Sequence, residues 1–160
     1  MNLWAANPAG EVSCLCPATV ISDPDETPPT GLNARLGPRD WRILGNGRLI
    51  SLWPVRTGLV VDAGVVYAAA GLYPSQGVYA TALSAADGSD VWRQKLDVSP
   101  QGYLLASRTM LFVPTGRGNP VALNRSTGRY VRAFSGSGGA FAVLLEYNLI
   151  CGAGYDVKLT

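Results

Sequence analysis

Histidine is absent from the 160 residues, which removes the usual general base near neutral pH and the commonest zinc ligand. No Ser-His-Asp or Cys-His mechanism can be assembled within the chain. Cysteine is scarce: Cys14, Cys16 and Cys151. An odd number does not suggest a disulfide framework, and Cys14 and Cys16, two apart on a strand, are expected to share a face as small buried hydrophobes. Charge is sparse and balanced, thirteen basic against eleven acidic residues for a net +2. The longest basic neighbourhood, Arg125 to Arg132, contains Gly128 and Tyr130 and reads as a solvated hairpin, so no nucleic-acid partner is expected. No apolar run approaches the ~20 residues that span a bilayer as a helix, and Met1-Asn2-Leu3-Trp4 lacks the basic start and apolar stretch of a signal peptide. The chain is therefore expected to be cytoplasmic or to carry its export signal upstream of a truncated start. Gly116-Arg117-Gly118 and Gly136-Ser137-Gly138-Gly139 are followed by no helical pattern with Lys-Ser or Lys-Thr, which argues against a phosphate loop.

What is present is apolar residues, glycine and proline: 48% hydrophobic, 19 glycines and 11 prolines, a mixture suited to strands and turns. Internal repetition organises it. Ala82-Leu83-Ser84-Ala85-Ala86-Asp87-Gly88-Ser89-Asp90-Val91-Trp92 aligns without gaps on Ala122-Leu123-Asn124-Arg125-Ser126-Thr127-Gly128-Arg129-Tyr130-Val131-Arg132, forty positions on (128 − 88). Each copy is a short apolar strand, a polar turn closed by glycine, and a second strand. Glycine suits that place because it takes positive φ without a Cβ clash. A weaker copy spans Leu3 to Val12.

A second unit alternates with the first. Gly58 to Ala68 is two apolar strands around Asp62-Ala63-Gly64; Tyr103 to Val113 repeats the plan, and Ala140 to Cys151 does so around Glu146-Tyr147-Asn148. Short β-branched runs between small polar turns are strands. Two hairpins per forty residues make a four-stranded antiparallel unit, and such units stacked radially are propeller blades. The expectation is an all-β fold: a partial β-propeller, an open arc of about three to four blades, since a closed ring needs roughly 240 to 320 residues. Residues 1–21 read as degenerate blade strands, 22–40 as a loop or insertion rich in proline and acid (Asp23-Pro24-Asp25-Glu26-Thr27-Pro28-Pro29), and 41–160 as the repeats. The copy expected near Gly47 is degenerate or displaced.

Ala82 to Trp92 resembles the tryptophan-ending repeat of quinoprotein propellers, A-x-D-x-x-T-G-x-x-x-W. Ala82, Gly88 and Trp92 match it; Ser84 and Asp87 depart. Ala122, Thr127 and Gly128 match in the second copy, with Asn124 and Arg132 in place of the aspartate and the tryptophan. Arg48 to Gly58, Ser99 to Ser107 and Leu111 to Arg117 look like pyrroloquinoline-quinone-like repeat proteins of environmental bacteria, and the resemblance covers roughly residues 41 to 154. It implies a periplasmic or cell-envelope setting and a motif tryptophan packed between neighbouring blades. Trp92 is accordingly expected to be buried, while Trp53, before Pro54 in a connection, is expected nearer the channel mouth. Arg132 puts the second copy's packing in doubt.

Quinone-dependent dehydrogenases of that fold use an adjacent cysteine pair, a calcium held by acidic and amide side chains, and an aspartate base. Cys14-Leu15-Cys16 is not an adjacent pair, and Asp62 and Asp87 are explained as turn residues. No catalytic residue, metal site or cofactor is expected in the chain. The function expected is a non-catalytic repeat module acting as scaffold or binding surface, with a protein partner, the remaining blades or a second copy beside it. The alternative is a fragment of a quinoprotein-type oxidoreductase, with pyrroloquinoline quinone and calcium held outside these residues. A third reading, a sugar- or polymer-binding surface, rests on Trp41, Trp53 and Tyr73. The segments that lead into innermost strands, Trp53 to Thr57, Ser99 to Gln101 and Ser135 to Gly138, should converge. Arg56 and Gln101, with Arg117 close by, are the candidate contacts for a small anionic ligand.

Overall fold

In the computed structural model of the chain, residues 3–6, 10–15, 33–45, 47–116, 118–145 and 148–153 are described. They form strands β1 (Leu3–Ala6), β2 (Glu11–Leu15), β3 (Asn33–Arg35), β4 (Arg42–Gly45), β5 (Arg48–Ser51), β6 (Thr57–Gly58), β7 (Val60–Asp62), β8 (Val65–Ala70) and β9 (Val78–Ser84). They continue with β10 (Asp90–Leu96), β11 (Gly102–Tyr103), β12 (Leu105–Ala106), β13 (Met110–Val113), β14 (Val121–Asn124), β15 (Tyr130–Ala133), β16 (Ser137–Leu145) and β17 (Asn148–Ala153). A single 3-10 turn, Pro74–Gln76, links β8 to β9. The fold is all-β, built of several small sheets, none of which closes on itself among the described residues.

Two of the sheets are four-stranded antiparallel meanders, β7-β8-β9-β10 and β12-β13-β14-β15. Their outer-hairpin turns correspond bond for bond. In the first, the Ser84 amide donates to the Ser89 carbonyl at 2.8 Å and the Gly88 amide to the Ser84 carbonyl at 2.9 Å; in the second, Asn124 and Arg129 pair at 2.7 Å and Gly128 and Asn124 at 2.8 Å. Gly88 and Gly128 sit at φ 74° and 72°, the left-handed region where a side chain is strained. Each outer hairpin carries one extra residue at the same place. Leu83 faces Asp90 while Ala82 faces Trp92, and Leu123 faces Tyr130 while Ala122 faces Arg132. Val91 and Val131 are thus equivalent β-bulge residues.

The apolar runs are continuous because the first sheet is covered on both faces. Tyr67, Ala69, Val78, Ala80 and Ala82 pack toward the second sheet, against Leu104, Leu111, Val113, Val121 and Leu123. Val66, Ala68, Ala70 and Leu83 pack the other way, against Val12, Leu36, Leu52 and Trp53. Alanine on the shared faces lets the layers approach. Thr81 is fully buried, and its hydroxyl has no partner among the described residues.

Around this pair stand a three-stranded sheet, β1-β2-β3, and the hairpins β4-β5 and β16-β17. The β4-β5 hairpin turns at Gly47, where a copy of the repeat was expected to be degenerate or displaced. Asn33–Arg35 pairs with β2 inside the stretch read as a loop or insertion; residues 22–32, with most of its proline and acid, lie outside the described residues, as does Cys16.

One expectation about the tryptophans is corrected. Trp53 is not at an open mouth: it is 4% exposed. Its indole N–H donates to the carbonyls of Gly77 at 3.0 Å and Gln76 at 3.3 Å. Its ring lies over Gly37, where an added Cβ would come within 3.0 Å of it. A large ring with a satisfied donor and a side-chain-free neighbour is a core residue. Trp92 does meet the neighbouring sheet, but it is only half-buried.

Candidate functional site

Antiparallel connectivity sorts the connections to two ends. The turns at Ala63-Gly64, Ala85 to Gly88, Ser107 to Thr109 and Arg125 to Gly128 lie at one end, where the Arg125 amide bonds Thr109 and the Ala85 amide bonds Gly64, each at 2.8 Å. The β8-β9, β10-β11 and β13-β14 connections lie at the other, and there Arg56 and Gln101 meet.

At that second end β6 and β11 pair in parallel, Thr57 beside Gly102 and Gly58 beside Tyr103. Gln101 bridges Thr115, and its amide donates to the Pro114 carbonyl at 2.9 Å. These short ties bring the segments before β7 and β12 side by side, and β16 runs next to β11. Arg56 and Gln101 meet directly, the guanidinium donating from Nη2 to Oε1 at 3.0 Å. Gly116 has no side chain in the way: a Cβ there would lie 2.9 Å from the Gln101 amide oxygen. With that oxygen occupied, the Gln101 side-chain N–H groups and the remaining Arg56 donors point to no acceptor among the described residues, a cluster of donors suited to an anion. The Thr115 hydroxyl beside them is buried with no partner among the described residues. Arg117 lies outside the described residues.

At the first end the main polar contact is one that no local pattern announces. Arg125 occupies the position of Ala85 in the other copy. It donates to the Tyr67 hydroxyl at 3.0 Å, to the Ser107 carbonyl at 2.9 Å and to the Asp62 carboxylate. The Tyr67 hydroxyl foremost, with Asp62 behind it, holds the guanidinium above its ordinary pKa against the opposing effect of burial. The Trp92 indole donates to the Arg125 carbonyl at 2.9 Å. Asp62, expected as a plain turn residue, is therefore an inter-sheet partner. Asp87 remains within its own turn, accepting from the Ser89 hydroxyl at 2.8 Å and amide at 3.1 Å, and the Ser89 hydroxyl foremost lowers its pKa.

Of the aromatics read as a stacking surface, Trp41 and Tyr73 are exposed while Trp53 is not; the Arg39 guanidinium already covers Trp41 at 4.1 Å. Among the described residues no group of three or more acidic or cysteine side chains is placed to hold a metal ion, and no helix is long and apolar enough to cross a membrane. Comparison with protein-family models and with curated proteins returned no match.

Proposed function

We infer that the chain is a run of β-propeller repeat units of the pyrroloquinoline-quinone-like type, serving as a non-catalytic scaffold or binding surface within a larger protein or an assembly of copies. The supporting observation is the correspondence of the two four-stranded sheets, down to turn bonds and bulge, at the offset that separates the two sequence copies. Units that repeat in this way bury their faces only against neighbours, so a module of this kind presents its connections as a surface. In this reading the Arg56–Gln101 cluster is the contact for a small anionic ligand.

Two titrations test it. Pyrroloquinoline quinone, added with and without calcium and followed by the quinone absorbance, should give no saturable binding; calcium-dependent binding would favour the oxidoreductase fragment instead. Sulfate binding should weaken about ten- to a hundredfold in Arg56→Ala, as expected for losing a charge-assisted hydrogen bond. A lowered melting temperature with sulfate binding unchanged would make Arg56 and Gln101 a structural clasp.

A further inference from the structure

A cleft of about 490 Å³ opens between the two four-stranded sheets at the end opposite Arg56 and Gln101. Val65, Val91, Trp92, Arg108, Asn124 and Arg125 contribute to its lining. The charged groups in that lining are both arginines, and they differ in what they have left to give. Arg125 is spent on Tyr67, Ser107 and Asp62. Arg108, exposed in the β12-β13 turn, has no hydrogen bond or ion pair among the described residues. Asn124 adds a second unspent donor. Its Oδ1 accepts from the Ser126 and Thr127 amides at 3.1 and 3.0 Å and from both their hydroxyls. That fixes the orientation of the amide and leaves its N–H groups without an acceptor among the described residues. The apolar part of the wall is Val65, the half-exposed bulge residue Val91 and the indole of Trp92.

Apolar walls with a few convergent polar groups are the usual make-up of a small-molecule site. Here the unspent polar groups include the Arg108 guanidinium, whose planar fork matches a carboxylate, and the Asn124 N–H groups, with the Thr109 hydroxyl beside them. We propose that this inter-sheet cleft binds a small organic carboxylate with a flat apolar body, its carboxylate held by Arg108 and Asn124 and its body lying against Val65, Val91 and the Trp92 indole. The Asp62 carboxylate nearby does not oppose this, because Arg125 neutralises it. The site is separate from the Arg56–Gln101 cluster and does not depend on the propeller reading.

Benzoate and its neutral counterpart benzamide are the probes, titrated into the intact chain and followed by NMR at the Val65, Val91 and Trp92 signals. Benzoate should shift these signals saturably, and benzamide should bind at least about tenfold more weakly. Arg108→Ala should weaken benzoate by about tenfold or more with the melting temperature unchanged, since a charge-assisted bond is lost from an exposed side chain. Arg48→Ala, an exposed arginine of β5 outside the cleft, should leave benzoate binding as it was. The proposal is overturned if benzoate produces no saturable shift at these signals, if benzamide binds equally well, or if Arg108→Ala binds benzoate as the parent does.

Discussion

The two four-stranded sheets share a backbone plan but fasten their outer strands differently. In the first, Trp92, Ala82 and Tyr67 stand in one row across the strands; in the second the row is Arg132, Ala122 and Phe112. Trp92 packs on Tyr67 with ring centroids 6.1 Å apart and reaches across to Gly128 and the Arg125 carbonyl. Arg132 does neither. Two residues further along, Phe134 supplies the ring, 5.9 Å from Phe112, and Arg132 lies over it at 4.5 Å. An aromatic pair across the strands recurs in both sheets, while the residue that provides it moves. Among the described residues, only the tryptophan also supplies a hydrogen bond to the following sheet.

The largest expected difference between the sheets lies there. Trp92→Ala should cost about 3 kcal/mol, the low end for a large aromatic because the ring is half-buried, whereas Arg132→Ala should change stability by less than about 0.5 kcal/mol. Chemical denaturation of the two variants side by side measures this, and equal losses would break the comparison. Next is Arg125, for which the first sheet has Ala85. Arg125→Ala removes three hydrogen-bond partners and the pairing of a largely exposed carboxylate, so a loss of about 1–2 kcal/mol is expected, against almost none for the neighbouring exposed Arg129→Ala.

Thr81 and Val121 are equivalent residues, each buried on the face turned toward the preceding layer. Replacing the unpartnered hydroxyl by the other sheet's side chain, Thr81→Val, should raise stability by about 1 kcal/mol. A loss instead would mean the hydroxyl is bonded. The smallest effect is electrostatic. Asp87 lies in the first turn where the second has Thr127, and its folded pKa lies below the ordinary 3.8. Its contribution is therefore complete above that value and fades as pH falls through the lowered folded value. Asp87→Asn should flatten the acid limb of the stability profile slightly, leaving the neutral region's shape unchanged.

Strand pairing was legible in the sequence because alternation, turn glycines and a forty-residue offset all act locally. Arg56 and Gln101, forty-five residues apart, were also legible as neighbours, since repeat geometry alone sends both connections to one end. Trp53 was misplaced because Pro54 marks a connection, and nothing local reveals that Gly37 leaves room for the ring. Arg125 was missed for a similar reason: its partners, Tyr67, Ser107 and Asp62, come from two other hairpins, and the stacking of the sheets brings Tyr67 and Asp62 within reach. Phe134 lay just beyond the aligned copy, so its role as the displaced ring had no signal.

The central claim is that successive sheets are locked by the seating of Trp92 on Gly128. A double-mutant cycle tests it most directly. A Cβ at Gly128 would lie 2.5 Å from the Trp92 ring, whereas at Gly64, with a similar φ of 76°, it would meet nothing within 4 Å. Gly64→Ala should therefore report backbone strain alone, about 1 kcal/mol, and Gly128→Ala that strain plus a clash of about 1–3 kcal/mol. In a Trp92→Ala background the clash should vanish, giving a coupling of at least about 1 kcal/mol between positions 92 and 128. Additivity within about 0.5 kcal/mol would contradict the account.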